Sequence, residues 1–384
     1  MNEDKKMKIL LLLVFTLTVG GVLIPHKKKE KDIVVKKENT KISVSLTGDL
    51  LWEQGLYDSM DNYQFGTYFD QVKPYLQSDL TIGNEEVPIG GEELGVSGVA
   101  YTFNAPYEIA NQYKDVGFDF LTLANNHTMD MGLQGIQNTC DILDKNDIGH
   151  TGAYTSQEDR DTIRVVNVKD TKIAILSYTY GTNIPSDTDY AVPCFLDANQ
   201  QLDKDTLKTD VDKAKKEADL IFVAMHWGTE FTYDITPIQE EAAKYLNELG
   251  VDVIIGNHTH TIQKATTITN DKGKNTYVFY SLGNLVSSAA NVDRATPDFQ
   301  NMYEIGAIVN FDIVNKDVTN VRIIPVVNQF EDGYTNFELI PFSSYTEDLA
   351  KKHYQRQLND DFTKEWLSQQ IHSVLDDSNF TIDM

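Results

Sequence analysis

Apolar and polar positions along this chain follow two periods, and the change from one to the other marks its elements. Ile42, Val44 and Leu46 alternate with polar residues, predicting a strand that stops at Thr47-Gly48-Asp49. Tyr68 to Leu76 has helical spacing, and Leu80-Thr81-Ile82 is a short strand that stops at Gly83-Asn84-Glu85-Glu86. Pro106 to Val116 predicts a helix with Pro in its first turn. Phe118 to Leu123 is a buried strand leading to Ala124-Asn125-Asn126-His127, with a helix over Leu133–Leu143 and strands near Ile163–Val168 and Ile173–Tyr178.

The alternation then repeats. A helix over Leu207–Ala218 precedes a strand over Leu220–Met225 that ends at His226. A helix over Ile238–Leu249 precedes the strand Val253–Ile255, and Tyr277–Tyr280 leads to Ser281-Leu282-Gly283-Asn284. Ile305–Ile313 and Val318–Val326 predict a hairpin at a sheet edge or in a second sheet. Strands and helices alternating at this spacing indicate a layered α/β domain over residues 41–341. Beyond it, residues 342–384 are polar, acidic and helix-prone, and predict a peripheral tail.

The N-terminus differs. Residues 1–8 form a short basic start, and Ile9 to Ile24 is an unbroken run of apolar residues, Thr and Gly with lysines on both sides. Its sixteen residues span about 24 Å as a helix, against a hydrocarbon core of about 30 Å. We read residues 9–25 as a transmembrane anchor and 26–40 as a solvated linker. The short N-terminus is expected inside the cell and the folded domain outside. A cleaved signal peptide and a core helix are the alternatives; no small-x-small site follows the run.

Composition narrows the partners. The formal charge of −25 on 384 residues argues against nucleic acid, whose binding rests on cations that neutralise phosphates. An anionic ligand would need a local cation set against the overall field. The two cysteines, Cys140 and Cys194, allow no cysteine metal site beyond a pair, and Cys140 falls on a helical apolar stripe.

The candidate chemistry lies where strands stop. Asp49, Glu86, Asn126-His127, His226 and His258/His260 each follow a buried-looking strand, and these ends hold four of the eight histidines. Ligands of α/β sheets bind at the carboxyl ends of strands, so residues distant in sequence would converge there. In Gly256-Asn257-His258-Thr259-His260, a turn can point both imidazoles into one space. Carboxylate, amide and imidazole together suit Zn²⁺, Mn²⁺ or Fe, in one or two sites, rather than Ca²⁺. Each residue also has an ordinary reading: His226 as a core histidine, Asp49 and Asn125 or Asn126 as caps, Glu85-Glu86 as a solvated pair, Asn284 as a left-handed turn. His127 can serve as ligand, general acid or packing residue. His26, His150, His353 and His372 lack the strand-end setting and are expected at the surface or in linkers.

These stretches, with Gly152-Ala153 and His226-Trp227-Gly228-Thr229-Glu230, resemble the CapA/PgsA family of poly-γ-glutamate capsule-biosynthesis proteins, similar to calcineurin-like metallophosphoesterases. The resemblance covers roughly residues 43–330. It implies a metallophosphatase-like αββα domain that binds a divalent metal. Asp49, Glu86, Asn126, His226, His258 and His260 would be the ligands, with His127 and Asp130 catalytic and Glu230 and Asn284 beside them. It further implies an outward-facing accessory protein of poly-γ-glutamate synthesis or export. Its partners would be membrane synthase subunits, the membrane and the anionic polymer. An extracellular metal-dependent hydrolase and a non-catalytic scaffold are the other readings. The sequence departs from the family at Leu51, where phosphoesterase relatives carry a histidine. It departs again at Glu85, usually apolar, and at Asn257 and Thr259, which replace His and Pro.

Overall fold

The computed structural model describes residues 41–288, 294–375 and 380–384. The predicted anchor over residues 9–25, with the segments 1–8 and 26–40, lies outside them. Among the described residues no helix is long and apolar enough to cross a membrane.

Among the described residues, fifteen strands form two mixed sheets. The first half of the chain contributes β1 (Lys41–Leu50), β2 (Leu80–Glu85), β3 (Phe120–Thr122), β4 (Gly149–Thr151), β5 (Arg164–Val168) and β6 (Thr171–Thr179). Next come β7 (Leu220–His226), β8 (Val253–Asn257), β9 (Ala265–Thr269), β10 (Asn275–Phe279) and β11 (Asn284–Val286). The last are β12 (Ile305–Val314), β13 (Asp317–Glu331), β14 (Thr335–Pro341) and β15 (Thr381–Ile382). One sheet runs β14-β13-β12-β1-β2-β3-β4, with β11 beside β1 and β15 beside β13; the other runs β5-β6-β7-β8-β10-β9.

Apolar burial defines the layers. Val44, Leu46 and Ile82 of the first sheet share one core with Ile175, Phe222 and Ile255 of the second, so the sheets pack face to face. The outer face of the first sheet buries Leu121 against Ile109 and Tyr113 of the helix Tyr107–Val116, and against Ile136 and Leu143 of the helix Gly132–Lys145. The outer face of the second buries Val223 and Ile254 against Leu207 and Val211 of Lys204–Glu217, and against Ala243 and Leu246 of Pro237–Glu248. The result is a mixed α/β domain in four layers, helix–sheet–sheet–helix. Within it β1–β4 are mutually parallel, as are β6, β7, β8 and β10, so their carboxyl ends gather at one edge.

Four expectations change. The helix predicted over Tyr68–Leu76 is regular only at Lys73–Leu76 and has Pro74 in its first turn. Pro74 has no N–H to bond the Asp70 carbonyl, so turns rather than a continuous helix precede it. The predicted edge hairpin is central: β12 pairs with β1 along Lys41–Thr47. Both its faces are buried, Val309 towards the second sheet and Ile308 towards the outer helices. Residues 342–384 are helical in part, but they are not peripheral. Phe342, Tyr345, Phe362, Leu367 and Ile371 belong to the core shared by the sheets, and β15 adds a parallel strand to β13. The acidic residues cover the outside of this segment and mask its apolar face. His353 and His150 are likewise buried. His353 Nε2 donates to the Asn328 carbonyl at 2.7 Å, and its Nδ1 accepts from the Gln355 amide at 2.9 Å. Burial lowers its pKa to about 4, against that first bond, so the ring is neutral.

Candidate metal centre

At the gathered edge, two glycines set how closely the strands approach. A Cβ on Gly48 would stand 2.0 Å from the Gly283 carbonyl oxygen, and one on Gly256 2.0 Å from that of Tyr280. Glycine at these positions lets β1 run against the chain entering β11, and β8 against the end of β10, so that the next residues project together. Asp49 follows the first and the His258–His260 loop the second.

One ligand atom each from Asp49, Glu86 and His260 lies within 4.8 Å of the others, and all three side chains are buried. Glu86 Oε1 stands 3.6 Å from His226 Nε2 and 4.0 Å from His260 Nε2. Neighbouring ligand atoms on one ion with bonds of about 2.0–2.2 Å lie about 3–3.5 Å apart, so a small contraction closes the set. Asn126 Oδ1 is 2.7 Å from His226 Nε2. The His258 ring packs 4.8 Å from that of His226, centroid to centroid. His258 and His260 hold left-handed φ values of 98° and 55°, costing about 1–3 kcal/mol each. The sharp turn of this loop places His260 beside Glu86 and His258 beside His226.

The surroundings orient these groups. Asp49 Oδ1 accepts from the Asn84 amide at 2.7 Å, and Asn84 Oδ1 accepts from Thr122 Oγ1 at 3.0 Å, which ties three strand ends together. Asp49 Oδ2 accepts from the His258 backbone N–H at 3.1 Å, joining the two sheets. His260 Nδ1 meets Asn284 Oδ1 at 3.0 Å, which leaves Nε2 towards Glu86. Glu85 points the other way, where Tyr113 donates to its carboxylate, so Glu86 is the inward glutamate. Asn125 organises its loop, accepting from the His127 N–H and donating to the Glu85 carbonyl, while Asn126 faces His226. Leu51 is buried in the apolar core and offers no ligand.

Both oxygens of Glu86 and the Nδ1 atoms of His226 and His258 are buried without a hydrogen-bond partner. Such orphaned groups are costly unless an ion completes them. Electrostatics point the same way. Burial pushes Asp49 up to about 7, against the hydrogen bonds from His258 and Asn84. Burial, and then the neighbouring Asp49, drives Glu86 well above the carboxylate range. Burial holds His226 and His258 well below the usual imidazole value and His260 below it, so the rings are neutral and ready to donate. A cation here would reverse the penalty on the carboxylates. The residues fit a divalent transition metal.

Replacing His258 and His260 together by Ala should weaken metal binding by more than about 100-fold, since losing only an outer partner of a ligand costs 10–100-fold. Elemental analysis after dialysis checks this, and equal metal in wild type and variant would refute it. Loading should also weaken as pH falls through about 7, where Asp49 takes up a proton that competes with the ion.

Beside this cluster, His127 Nδ1 lies 2.8 Å from Asp130 Oδ2, within a buried pair at the inner wall of an open cavity of about 440 Å³. Asn183 and Tyr180 also line it, with Glu230 and Arg294 ion-paired at 2.5 Å. Sequence patterns pointed to none of Asn84, Asn183, Tyr180 or Arg294. Only Asn84 carried a signal, inside the Gly-Asn-Glu-Glu stop of β2; the others sit in loops without periodicity.

Comparison with known proteins adds a family signal. The family described as "Bacterial capsule synthesis protein PGA_cap" matches residues 43–289. The chain is 31% identical over 257 residues to the capsule biosynthesis protein CapA of Bacillus anthracis, covering 66% of this chain and 61% of that protein. It is 27% identical over 262 residues to the PGA biosynthesis protein CapA of Bacillus subtilis, covering 67% of each. Among solved structures, a candidate 5'-nucleotidase from Staphylococcus aureus in complex with alpha-ketoglutarate aligns with a TM-score of 0.42 at 17% identity. That alignment covers 84% of this chain and 58% of the other.

Proposed function

We propose, since this chain belongs to the bacterial capsule synthesis family PGA_cap, that it serves in making or exporting poly-γ-glutamate or a similar anionic capsule polymer, through a divalent metal centre that hydrolyses a bond. The observation that carries this reading is the meeting of Asp49, Glu86 and His260 beside the His127–Asp130 pair at an open cavity. The bound metal would supply an activated water and stabilise charge on the leaving group. Asp49, Glu86 and His260 would hold it, with Asn126, His226 and His258 completing the set. With Nδ1 of His127 facing Asp130, Nε2 is the nitrogen that carries a proton towards the leaving atom. The four-layer arrangement accords with the metallophosphatase-like fold expected from the sequence. The apolar run Ile9–Ile24, with lysines on both sides, supports a membrane anchor; the reading takes the short N-terminus as inside and the domain as outside, beside membrane synthase subunits.

The test uses the purified full-length chain, loaded with Mn²⁺ or stripped by chelator, on poly-γ-glutamate and on phosphodiesters. Metal-dependent cleavage of either supports the reading and names the bond. One observation favours a second reading, a scaffold for the synthase: Leu51 stands in the apolar core where phosphoesterase relatives carry a ligand. No turnover on either substrate, with capsule lost only when the domain is deleted, would establish that one.

A further inference from the structure

A protein of charge −25 repels an anionic substrate unless a cation waits at the site. Among the described residues lining the cavity above the candidate metal centre, Arg294 is the single Lys or Arg. Its guanidinium lies 5.6 Å from the centre of the Phe231 ring and 2.5 Å from Glu230 Oε2, with 65% of the side chain exposed. The ring, within cation–π range, and the carboxylate beside it hold the guanidinium at the cavity. Its positive charge also reaches the centre, where it helps keep His258 and His260 unprotonated. The Arg294 end of this pair is open to solvent, where an ion pair is worth about 0–1 kcal/mol, so the guanidinium can exchange Glu230 for another carboxylate. Glu230 shows which group the fork accepts, a planar carboxylate.

We propose that Arg294 is the specificity residue of this site: it binds a carboxylate of the substrate, taking it in exchange for Glu230, so that the site selects carboxylate-bearing chains. The inference rests on the metal centre being where substrate binds. It adds a residue outside the metal and proton-transfer machinery that reads the substrate's carboxylates. Arg at this place is not equivalent to Lys, because the planar fork matches a carboxylate while an ammonium supplies charge alone.

The experiment measures binding to the full-length, Mn²⁺-loaded chain by calorimetry. The probes are a short γ-linked glutamate oligomer, the same oligomer with its free carboxylates converted to amides, and a phosphate monoester. Wild type should bind the acid form at least about tenfold more tightly than the amide form. Arg294→Ala should lose about 10–100-fold on the acid form, the worth of a charge-assisted hydrogen bond, and nothing on the amide form. Arg294→Lys should fall between, and Glu230→Gln, which removes the internal competitor, should tighten the acid form. Equal binding of acid and amide by wild type overturns the proposal, as does unchanged acid binding by Arg294→Ala. An Arg294 effect confined to the phosphate monoester also overturns it. If the carboxylate preference survives but no metal-dependent cleavage is found, the hydrolytic reading fails and the role of Arg294 stands. If cleavage is found and Arg294→Ala binds and cleaves as wild type does, the reverse holds.

Discussion

His127→Ala should lower metal-dependent cleavage by about 10²–10⁴-fold while leaving metal content unchanged, the loss expected for a positioned acid or base. The imidazole has the position for that work. Its Nδ1 meets Asp130 at 2.8 Å, its ring is edge-on to Phe103 at 4.7 Å, and it borders the open cavity that Asn126 and His258 also line. Asp130 also accepts from the Phe103 N–H at 3.2 Å, so it holds the loop as well as the ring. Removing the imidazole leaves a buried carboxylate short of a partner, which costs about 1–3 kcal/mol. A second variant therefore separates chemistry from stability. Asp130→Asn keeps the shape but offers an N–H to Nδ1, which favours the tautomer with its proton on Nε2 and withdraws support from the imidazolium. It should lose at least about tenfold in rate. Full cleavage, or full surface polymer, from both variants would remove His127 from the chemistry and favour the scaffold.

Much of this site was legible because a buried β-branched run followed by Gly-Asn or Gly-Asp is a strong local signal. Val253-Ile254-Ile255 before Gly256 is one case, and the alternating run before Gly48-Asp49 is another. What the sequence left open needed register or partners. Glu85 and Glu86 differ by one position, and only the pairing of Leu50 with Glu85 across β1 and β2 fixes which of them turns towards the histidines. Arg294 and Asn183 belong to loops, where no period tells inward from outward. His353 looked solitary because its partners, the Asn328 carbonyl and the Gln355 amide, are backbone groups with no sequence signature.

Deleting residues 342–384 should abolish soluble expression. The acidic composition predicts a peripheral tail, yet Phe342, Tyr345, Phe362, Leu367 and Ile371 are each at most 1% exposed, in one core with β8, β10, β12 and β13. Leu367 and Ile371 sit four residues apart on the helix Lys364–Val374 and present one apolar face. Removing them would bare a sheet face and the edge that β15 covers on β13. Phe362→Ala alone should cost about 3–5 kcal/mol, read as a lower urea midpoint at unchanged slope. A soluble deletion variant with the wild-type midpoint would show that the segment only decorates the domain.

The pairing of β1 with β12 also governs when this domain can fold. The first strand of the sheet aligns Ile42 with Ile313 and Thr47 with Ile308, partners more than 250 positions away along the chain. Its other late neighbour, β11, meets it at Asp49. Closing loops of that length before any contact rewards them puts the chain among slow folders, on the scale of milliseconds to seconds or longer. A growing polypeptide therefore carries Asp49 and Glu86 unassembled through most of its synthesis, and the metal ligands come into register only after the last third has emerged.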